Sequence, residues 1–395
     1  MISKRKSRSL RHKGVSCFHE VMKRRIYADH AATTPLMPKA LEAMMPFLKE
    51  DFGNPSSLHG WSKLAKKVLS ESREVIAKCI NANPDEIFFT SGGTEADNWV
   101  IKGSSGGLLV SSYEHHAVLN AAESESHKGR QVIFVRPNVG TDGGYVMPLN
   151  LSKSWKDGVG LVSIMAANNE IGTVNPIQAL SAFAHKCGAL FHTDAVQAVG
   201  HIPIDVRAMG VDLLSASAHK FNGPKGVGFL FIRNGVKLDP LLNGGQQESG
   251  LRAGTENVAS IVGMATALKV NCDRMEENAA HLQSLTLRLR DGINRIFPDV
   301  VYLGDGGVDQ LPGFTSVSFP GHSAEGLLHL LDLKGIAVSS GAACDSRNTQ
   351  VSHVLKAINI TTVIARSTIR ITLGPENTKS EVDVIVNELG RQLGK

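Results

Sequence analysis

Blocks of apolar residues alternate with amphipathic stretches through the middle of the chain. Between residues 86 and 233, short apolar runs such as VGLVSIM and ALFHTDA are separated by stretches in which apolar residues recur every three or four positions. The first pattern predicts buried strands and the second predicts helices. Near-continuous apolar strands that alternate with helices are typical of a parallel sheet covered on both faces. We therefore predict an α/β domain here.

The pattern differs on either side of this region. Apolar residues recur at helical spacing from Leu36 to Phe47, and Thr34 followed by Pro35 predicts that a helix begins there. After about residue 255, a long helical stretch is followed by the strands GFTSVSFP, GIAVSS and STIRITLG, which are separated by shorter helices. This order predicts a smaller α+β domain.

The length of the chain supports a division into two domains, because 395 residues are too many for one compact core. We expect a basic, poorly packed tail over residues 1–25, a large domain over 26–255 and a small domain over 256–395. The first helix, near residues 36–49, is expected to pack with the small domain.

Positive charge is concentrated in the tail. Residues 1–25 contain nine Lys or Arg and one acid, whereas the rest of the chain has 33 basic and 36 acidic residues. We therefore expect no nucleic-acid surface on the folded body, and no apolar run approaches the roughly 18 residues of a membrane span. The tail lacks the apolar segment of a secretory signal, and its composition fits either a disordered extension or an organellar presequence. A cytoplasmic location is expected, with organellar import as the alternative.

The cysteines are spaced without any metal-binding or disulfide pattern; they are Cys17, Cys79, Cys187, Cys272 and Cys344. A reducing compartment is expected, and no resident metal site. Cys79 and Cys187 fall in helical patterns and are expected in the core. Cys344 differs, because the segment SSGAACDS around it has the composition of a solvated loop, an unusual place for a cysteine.

Polar residues follow several predicted strands at the point where each strand ends. The carboxyl ends of strands build the ligand crevice of an open α/β sheet, so these residues are expected to lie together. The turn TSGGTEADN has free backbone N–H groups for a phosphate, but it lacks the spacing of dinucleotide-binding and P-loop motifs. The residues at these ends are Thr94, His115, Asp194, Ser217, His219 and Lys220.

This set of residues matches what pyridoxal 5'-phosphate requires. A lysine amine forms a Schiff base with this cofactor, and an acid pairs with its pyridinium nitrogen. Lys220 and Asp194 supply those groups, small donors can bind the phosphate, and the flat ring of His115 can cover the cofactor.

The chain resembles the cysteine desulfurases of the class V aminotransferase group, of the type that serves iron–sulfur cluster assembly and nitrogenase maturation. The resemblance covers about residues 26 to 393 and rests on YADHAATTP, FGNPSSLHG, FTSGGTEADN, EHHAVL, NNEIGT, HTDAVQAVG, SAHKFNGPKGVG, GLRAGTEN, SSGAACDS and STIRITLG. It implies the type I fold of pyridoxal-phosphate enzymes, with a mostly parallel seven-stranded sheet in the large domain and the catalytic cysteine loop on the small one.

The resemblance also implies a role for individual residues. Lys220, His115 and Cys344 would be catalytic. Asn169 and Arg370 would bind the substrate, Arg370 through its carboxylate. Thr255 would reach the cofactor phosphate of the neighbouring subunit, which implies a homodimer with shared active sites. The residues implied in cofactor binding are Gly93, Thr94, His115, Asn169, Asp194, Gln197, Ser217, His219, Lys220 and Thr255.

The implied reaction converts L-cysteine to L-alanine and leaves a persulfide on Cys344. The segment after Cys344 resembles the longer loop of relatives that pass sulfur directly to a scaffold-type acceptor protein, and Cys344 is a candidate transient ligand of a nascent cluster. Gln246 and Ser249 stand where many relatives have Gly and Arg, which leaves the acceptor open.

Three other functions stay open from the sequence. Selenocysteine lysis and ordinary transamination use the same fold, and transamination does not need Cys344. A non-catalytic interaction protein with a decayed site is the third, although Lys220, Asp194 and His115 are all present.

Overall fold

A computed structural model describes residues 25–306, 309–340 and 351–394. The tail predicted over residues 1–25 lies almost wholly outside the described residues, as do Cys17 and Cys344. Among the residues described, no helix is both long and apolar enough to cross a membrane.

The described strands are β1 (Ile26–Tyr27), β2 (Ile87–Thr90), β3 (Gly107–Ser111), β4 (Val132–Val135), β5 (Val159–Ser163), β6 (Leu190–Asp194), β7 (Leu213–Ser217), β8 (Gly228–Ile232), β9 (Val301–Tyr302), β10 (Phe314–Ser318), β11 (Ile336–Ala337) and β12 (Thr368–Thr372).

The described helices are α1 (Pro38–Lys49), α2 (Trp61–Cys79), α3 (Gly93–Gly103), α4 (His116–His127), α5 (Pro148–Ser154), α6 (Ile177–Lys186), α7 (Val258–Asp273), α8 (Met275–Ile296), α9 (Ala324–Asp332), α10 (His353–Ala357), α11 (Thr362–Arg366) and α12 (Lys379–Gln392).

The central sheet has seven strands in the order β2-β8-β7-β6-β5-β3-β4. Strand β8 pairs antiparallel with both β2 and β7, and the other pairs are parallel. The prediction of a mostly parallel seven-stranded sheet is therefore confirmed. Because the parallel strands point the same way, the polar residues that follow them meet at one edge.

Helices cover the sheet on both faces, as its apolar strands predict. One face packs against α3 and α4 through buried residues such as Trp99 and Val118. The other packs against α2, α6 and α7, which contribute Ile76, Leu180 and Leu268 to the largest core.

A second hydrophobic core lies in the carboxyl-terminal part of the chain. The antiparallel sheet β12-β10-β9 packs against α8, α9 and α12, and Ile26 and Ala28 enter this core because β1 pairs with β11. Helix α7 lies beyond residue 255 and packs against α1, yet its buried residues belong to the first core. The domain boundary between residues 255 and 256 stays a prediction.

The first helix begins later than the sequence predicts. It starts at Pro38 rather than at Pro35, because the Thr34 side chain makes other bonds. Its hydroxyl donates to the carbonyl of His219 at 2.9 Å and accepts from the N–H of Asn222 at 2.8 Å. Thr34 therefore does not cap the helix as its sequence context predicts. Its tertiary hydrogen bonds instead join the amino-terminal segment to the turn that carries Lys220.

The prediction that Cys187 lies in the core was wrong. Cys187 is exposed, because it follows the last residue of α6 and caps the helix at the surface. Cys79 is half-buried and packs against the first core.

Two leucines of α8 provide a test of the second core. Leu289 is fully buried and Leu287 is 57% exposed on the same helix. We expect Leu289→Ala to lower the free energy of unfolding by about 2–5 kcal/mol, because it leaves a cavity. Leu287→Ala should change it by less than about 0.5 kcal/mol. Urea unfolding of both variants measures the difference, and equal losses would show that the second core is not packed as described.

Candidate active site

A cavity of about 540 Å³ opens at the carboxyl edge of the parallel strands. Its walls come from segments that follow β2, β3, β5, β6 and β7, together with β12 of the second core and residues near Ala31. The predicted residues that line it are Gly93, Thr94, His115, Asn169, Asp194, Gln197, Ser217, His219, Lys220 and Arg370. Thr255 is exposed and is not among the lining residues, and Cys344 lies outside the described residues.

The amine of Lys220 points to the amino-terminal segment across the cavity. Lys220 ends a short 3₁₀ turn, Ala218–Lys220, directly after β7. Its Nζ donates to the carbonyl of Ala31 at 2.5 Å and to that of Ala32 at 3.0 Å. Gln197 donates to the same Ala31 carbonyl at 2.9 Å, so one backbone oxygen orients both side chains.

Asp194 places a buried carboxylate on the cavity floor at the end of β6. Burial raises its pKa to about 6, although a hydrogen bond from the N–H of Val196 and the charge of Lys220 act in the opposite direction. Asp97 also lines the floor, and burial together with the charge of Asp194 raises its pKa well above the ordinary range. A cationic ring nitrogen in the cavity would offset the cost of ionising Asp194.

His115 is a neutral imidazole beside the cavity. It is the N-cap of α4, and its Nδ1 accepts from the N–H of Ala117 at 3.1 Å. Burial and the nearby charge of Lys220 lower its pKa to about 4. At neutral pH the proton therefore sits on Nε2, and the uncharged ring can stack on an aromatic ligand.

The start of α3 forms an anion cradle at one end of the cavity. Gly92 has φ 147°, which favours glycine, and a Cβ on Gly93 would lie 2.6 Å from the Val196 side chain. The first N–H groups of the helix have no intrahelical acceptor and can bind a phosphate. Ser217 and His219 line the same cavity. This end therefore fits the phosphate of pyridoxal 5'-phosphate, and Asp194 fits its ring nitrogen.

Arg370 enters the cavity from β12, at the end where the cavity meets the second core. Its Nη1 donates to the carbonyl of Asn169 at 2.7 Å and its Nη2 to Asp29 at 2.7 Å. Its Nε and the side-chain oxygen of Asn169 are buried, and neither has a hydrogen-bond partner among the described residues. Buried polar atoms of this kind are usually paired, so this end fits a ligand that carries both an acceptor and a donor, as an amino acid does.

Sequence reasoning missed the residues that brace this end of the cavity. Asp29 pairs with Arg370, and Glu170 accepts from the Ser352 hydroxyl at 2.5 Å. Ser339 exchanges backbone hydrogen bonds with Arg370. The described residues on both sides of positions 341–350 therefore adjoin the cavity wall. The quoted segments YADHAATTP and NNEIGT contain Asp29 and Glu170, but nothing local reveals their partners.

Comparisons of the sequence and of the structure with known proteins point to the same family. The sequence matches the family described as aminotransferase class-V over residues 26–385. It is 45% identical over 381 residues to "Cysteine desulfurase IscS" of Dictyoglomus turgidum, covering 95% of this chain and 96% of that protein. Among solved structures, a "NifS-like protein" is 38% identical with a TM-score of 0.87, covering 94% of this chain and 100% of that one.

A second solved structure, "SspA in complex with cysteine", is 33% identical with a TM-score of 0.77, covering 89% of this chain and 100% of that chain. These neighbours share the type I pyridoxal-phosphate fold that the sequence predicts. The chain belongs to the aminotransferase class-V family and, within it, to the cysteine desulfurases.

Proposed function

We propose that this cysteine desulfurase takes sulfur from L-cysteine, releases L-alanine, and carries the sulfur as a persulfide on Cys344. The observation that carries the proposal is one cavity lined by Lys220, Asp194, His115 and Arg370 together. A relative whose structure is titled as a complex with cysteine supports the choice of substrate.

Pyridoxal 5'-phosphate is the proposed cofactor, and when bound it supplies a sink for the electrons released at the substrate Cα. The start of α3, with Gly93 and Thr94, would bind its phosphate together with Ser217 and His219. Asp194 would pair with its ring nitrogen, and Gln197 would donate to its phenolic oxygen. The neutral ring of His115 would stack on its face.

Arg370 would bind the substrate carboxylate. Its Nη2 is held by Asp29 and its Nη1 by the Asn169 carbonyl, so the guanidinium is fixed before a ligand arrives. The unpaired Nε remains to donate a charge-assisted hydrogen bond. The side-chain oxygen of Asn169 would accept from the substrate.

Lys220 would take the proton from the substrate Cα. The thiolate of Cys344 would then attack the substrate sulfur. An S–S bond forms while the Cβ–S bond breaks, the electron pair of that bond stays on carbon, and protonation gives alanine. The role of Cys344 rests on the sequence motif, because the residue lies outside the described structure.

A scaffold-type protein is the proposed sulfur acceptor. An open groove lined by Arg136, His353 and Lys356 lies beside the point at which the described chain resumes at Val351. Arg136 and Lys356 are exposed. Positive charge at this position favours an acidic face on the acceptor. The cysteine usage of the chain supports a reducing cytoplasmic compartment for this transfer.

A homodimer is proposed as the working form. Thr255 is exposed in a Gly-rich turn, where it can reach a second subunit. Exposed apolar side chains are also clustered between residues 41 and 64, and the rings of Phe52 and Trp61 are 5.6 Å apart. Clusters of this kind mark interaction surfaces. Their members are Leu41, Leu48, Phe52, Leu58, Trp61 and Leu64.

Replacing the proposed persulfide carrier tests the reaction. Cys344→Ser should keep its cofactor but lower alanine formation at least about a hundredfold, because a hydroxyl is a far poorer nucleophile toward sulfur than a thiolate. After L-cysteine, the parent protein should gain about 32 Da per subunit, removable by reductant, and the variant should not. Alanine assays and mass spectrometry measure both effects.

Cys187→Ser is the matched control, because Cys187 is an exposed thiol remote from the motif, and this variant should behave as the parent does. If the added sulfur mapped to another cysteine, or if Cys344→Ser kept near-normal alanine formation, the persulfide proposal would be refuted.

The buried carboxylate predicts a pH-dependent effect on stability. Folding raises the pKa of Asp194 from 3.8 to about 6, so its burial cost is absent below about pH 4 and complete above about pH 6. In the cofactor-free protein, Asp194→Asn should therefore gain stability relative to the parent as pH rises through this window, by up to about 3 kcal/mol. Unfolding midpoints at pH 4, 6 and 8 measure it.

Asp205 provides a control of opposite sign, because hydrogen bonds from the Ala208 N–H and the Asn81 side chain lower its pKa. Asp205→Asn should lose stability relative to the parent as pH rises. A pH-independent difference for Asp194→Asn would contradict the assigned burial cost. The affinity of Asp194→Asn for the cofactor should also fall.

Subunit mixing tests the shared site. Lys220→Ala and Thr255→Ala homodimers should each be impaired, the first in activity and the second in cofactor affinity. A mixed dimer contains one site with both residues intact and one with neither, and random reassociation makes at most half of the dimers mixed. Mixing equal amounts after unfolding and refolding should therefore restore up to about a quarter of the parent activity at limiting cofactor. Sedimentation should give twice the chain mass of 42.3 kDa. A fully active monomer, or mixing without any recovery, would exclude the shared site.

A further inference from the structure

An acidic side chain lies in the first turn of the helix that forms the anion cradle. Glu95 follows Thr94 in α3 and lines the cavity. Its Oε2 accepts from the N–H of Ser91 at 2.8 Å, so it helps to fix the turn that enters the helix. A carboxylate here stabilises the helix itself, because it lies at the positive end of the helix dipole. The same carboxylate would repel a phosphate that binds to the first N–H groups.

Arg252 neutralises this carboxylate through a bidentate ion pair. Its Nε donates to Oε1 of Glu95 at 2.8 Å and its Nη2 to Oε2 at 3.0 Å. The two side chains are only 20% and 11% exposed, so the pair is shielded from water on most sides. Burial acts to raise the pKa of Glu95, but hydrogen bonds from Arg252 and Ser91 bring it below its ordinary value. Glu95 is therefore ionised at neutral pH, and its charge is balanced by Arg252.

The segment that carries Arg252 is held against the end of β2 by a second ion pair. Glu248 accepts from both terminal nitrogens of Arg73, at 2.9 and 2.7 Å, and from the N–H of Phe89 at 2.8 Å. Glu248 and Ser249 have φ values of 46° and 58°. Residues other than glycine adopt this left-handed conformation only where surrounding contacts enforce it. These contacts fix the backbone shortly before Arg252 and so direct its side chain to Glu95.

The described cavity lining offers little other positive charge to a phosphate at this end. His219 is neutral at pH 7, because burial and the charges of Lys220 and Lys225 lower its pKa to about 4. Lys220 is the proposed Schiff-base residue, and Lys225 is exposed, where water and salt screen its charge. A phosphate bound at the start of α3 would therefore meet an uncompensated acid if Arg252 were removed.

We propose that Arg252 is a positioning residue for the cofactor, which cancels the charge of Glu95 so that the start of α3 can accept the phosphate. Arg252 is not among the residues that line the cavity, so it would act through Glu95 rather than on the ligand. The inference rests on the proposed cofactor and adds a residue pair to the set that the sequence implies in binding it.

Two ligands that differ only in the phosphate test the proposal. Cofactor-free protein is titrated with pyridoxal 5'-phosphate and with pyridoxal, and absorbance gives each dissociation constant. Arg252→Gln should weaken binding of pyridoxal 5'-phosphate at least about tenfold and that of pyridoxal less than about twofold. Arg252→Lys keeps the charge and should stay within about threefold of the parent for both ligands. Equal losses for the two ligands would show that Arg252 only supports the fold, and would overturn the proposal.

Removing the acid as well separates charge balance from packing. Glu95→Gln keeps an acceptor for the Ser91 N–H but carries no charge, so it should bind pyridoxal 5'-phosphate at least as tightly as the parent. The double variant Glu95→Gln/Arg252→Gln should regain most of the affinity that Arg252→Gln loses. A double variant as weak as Arg252→Gln, or weaker binding by Glu95→Gln alone, would refute the charge assignment. The second comparison stands even if Arg252→Gln does not fold.

Arg288→Gln is the matched control, because Arg288 forms a bidentate pair with Asp383, at 2.6 and 2.8 Å, and does not line the cavity. This variant should bind both ligands as the parent does. Failure of the parent to bind pyridoxal 5'-phosphate would count against the proposed function itself. A parent that binds, with an Arg252→Gln variant of equal affinity, would count against this inference alone.

Discussion

At the end of strand β6, the carboxylate of Asp194 is buried away from water, and the groups around it offset little of the free-energy cost of ionising it there. Asp97 adds a second buried acid to the cavity floor, and Glu114 a third nearby, with a pKa that burial raises to about 8. Lys220 contributes positive charge, yet the pKa of Asp194 still lies near 6. Buried acids on the cavity floor lower the stability of the folded protein until a cationic group binds there. Residues of a binding site often lower stability in this way, because they are suited to the ligand rather than to the fold.

The other end of the cavity depends on the second core. Strand β12 pairs with β10 through Ser316 and with Ser339 through a bridge, so Arg370 is fixed in position by backbone hydrogen bonds before its side chain acts. That side chain then binds Asp29 and the Asn169 carbonyl of the first part of the chain. The cavity is therefore formed where the two cores meet. A displacement of the second core would move the proposed carboxylate site while leaving the phosphate cradle unchanged.

The site residues at strand ends could be predicted from the sequence, because the geometry of a parallel sheet brings them together. Lys220, Asp194 and His115 each follow a parallel strand, and parallel strands end at one edge. The pairing of Asp29 with Arg370 spans 341 positions, and no local pattern encodes it. The first helix was placed too early because Thr34 uses its hydroxyl for tertiary bonds instead of a cap.

An enzyme that moves sulfur between thiols must keep its own thiols apart. A persulfide transfers its outer sulfur to any thiolate within reach, so a second reactive cysteine beside the cavity would intercept the product. The described residues on both sides of positions 341–350 adjoin the cavity, whereas Cys79 and Cys272 lie in α2 and α7 and do not line it.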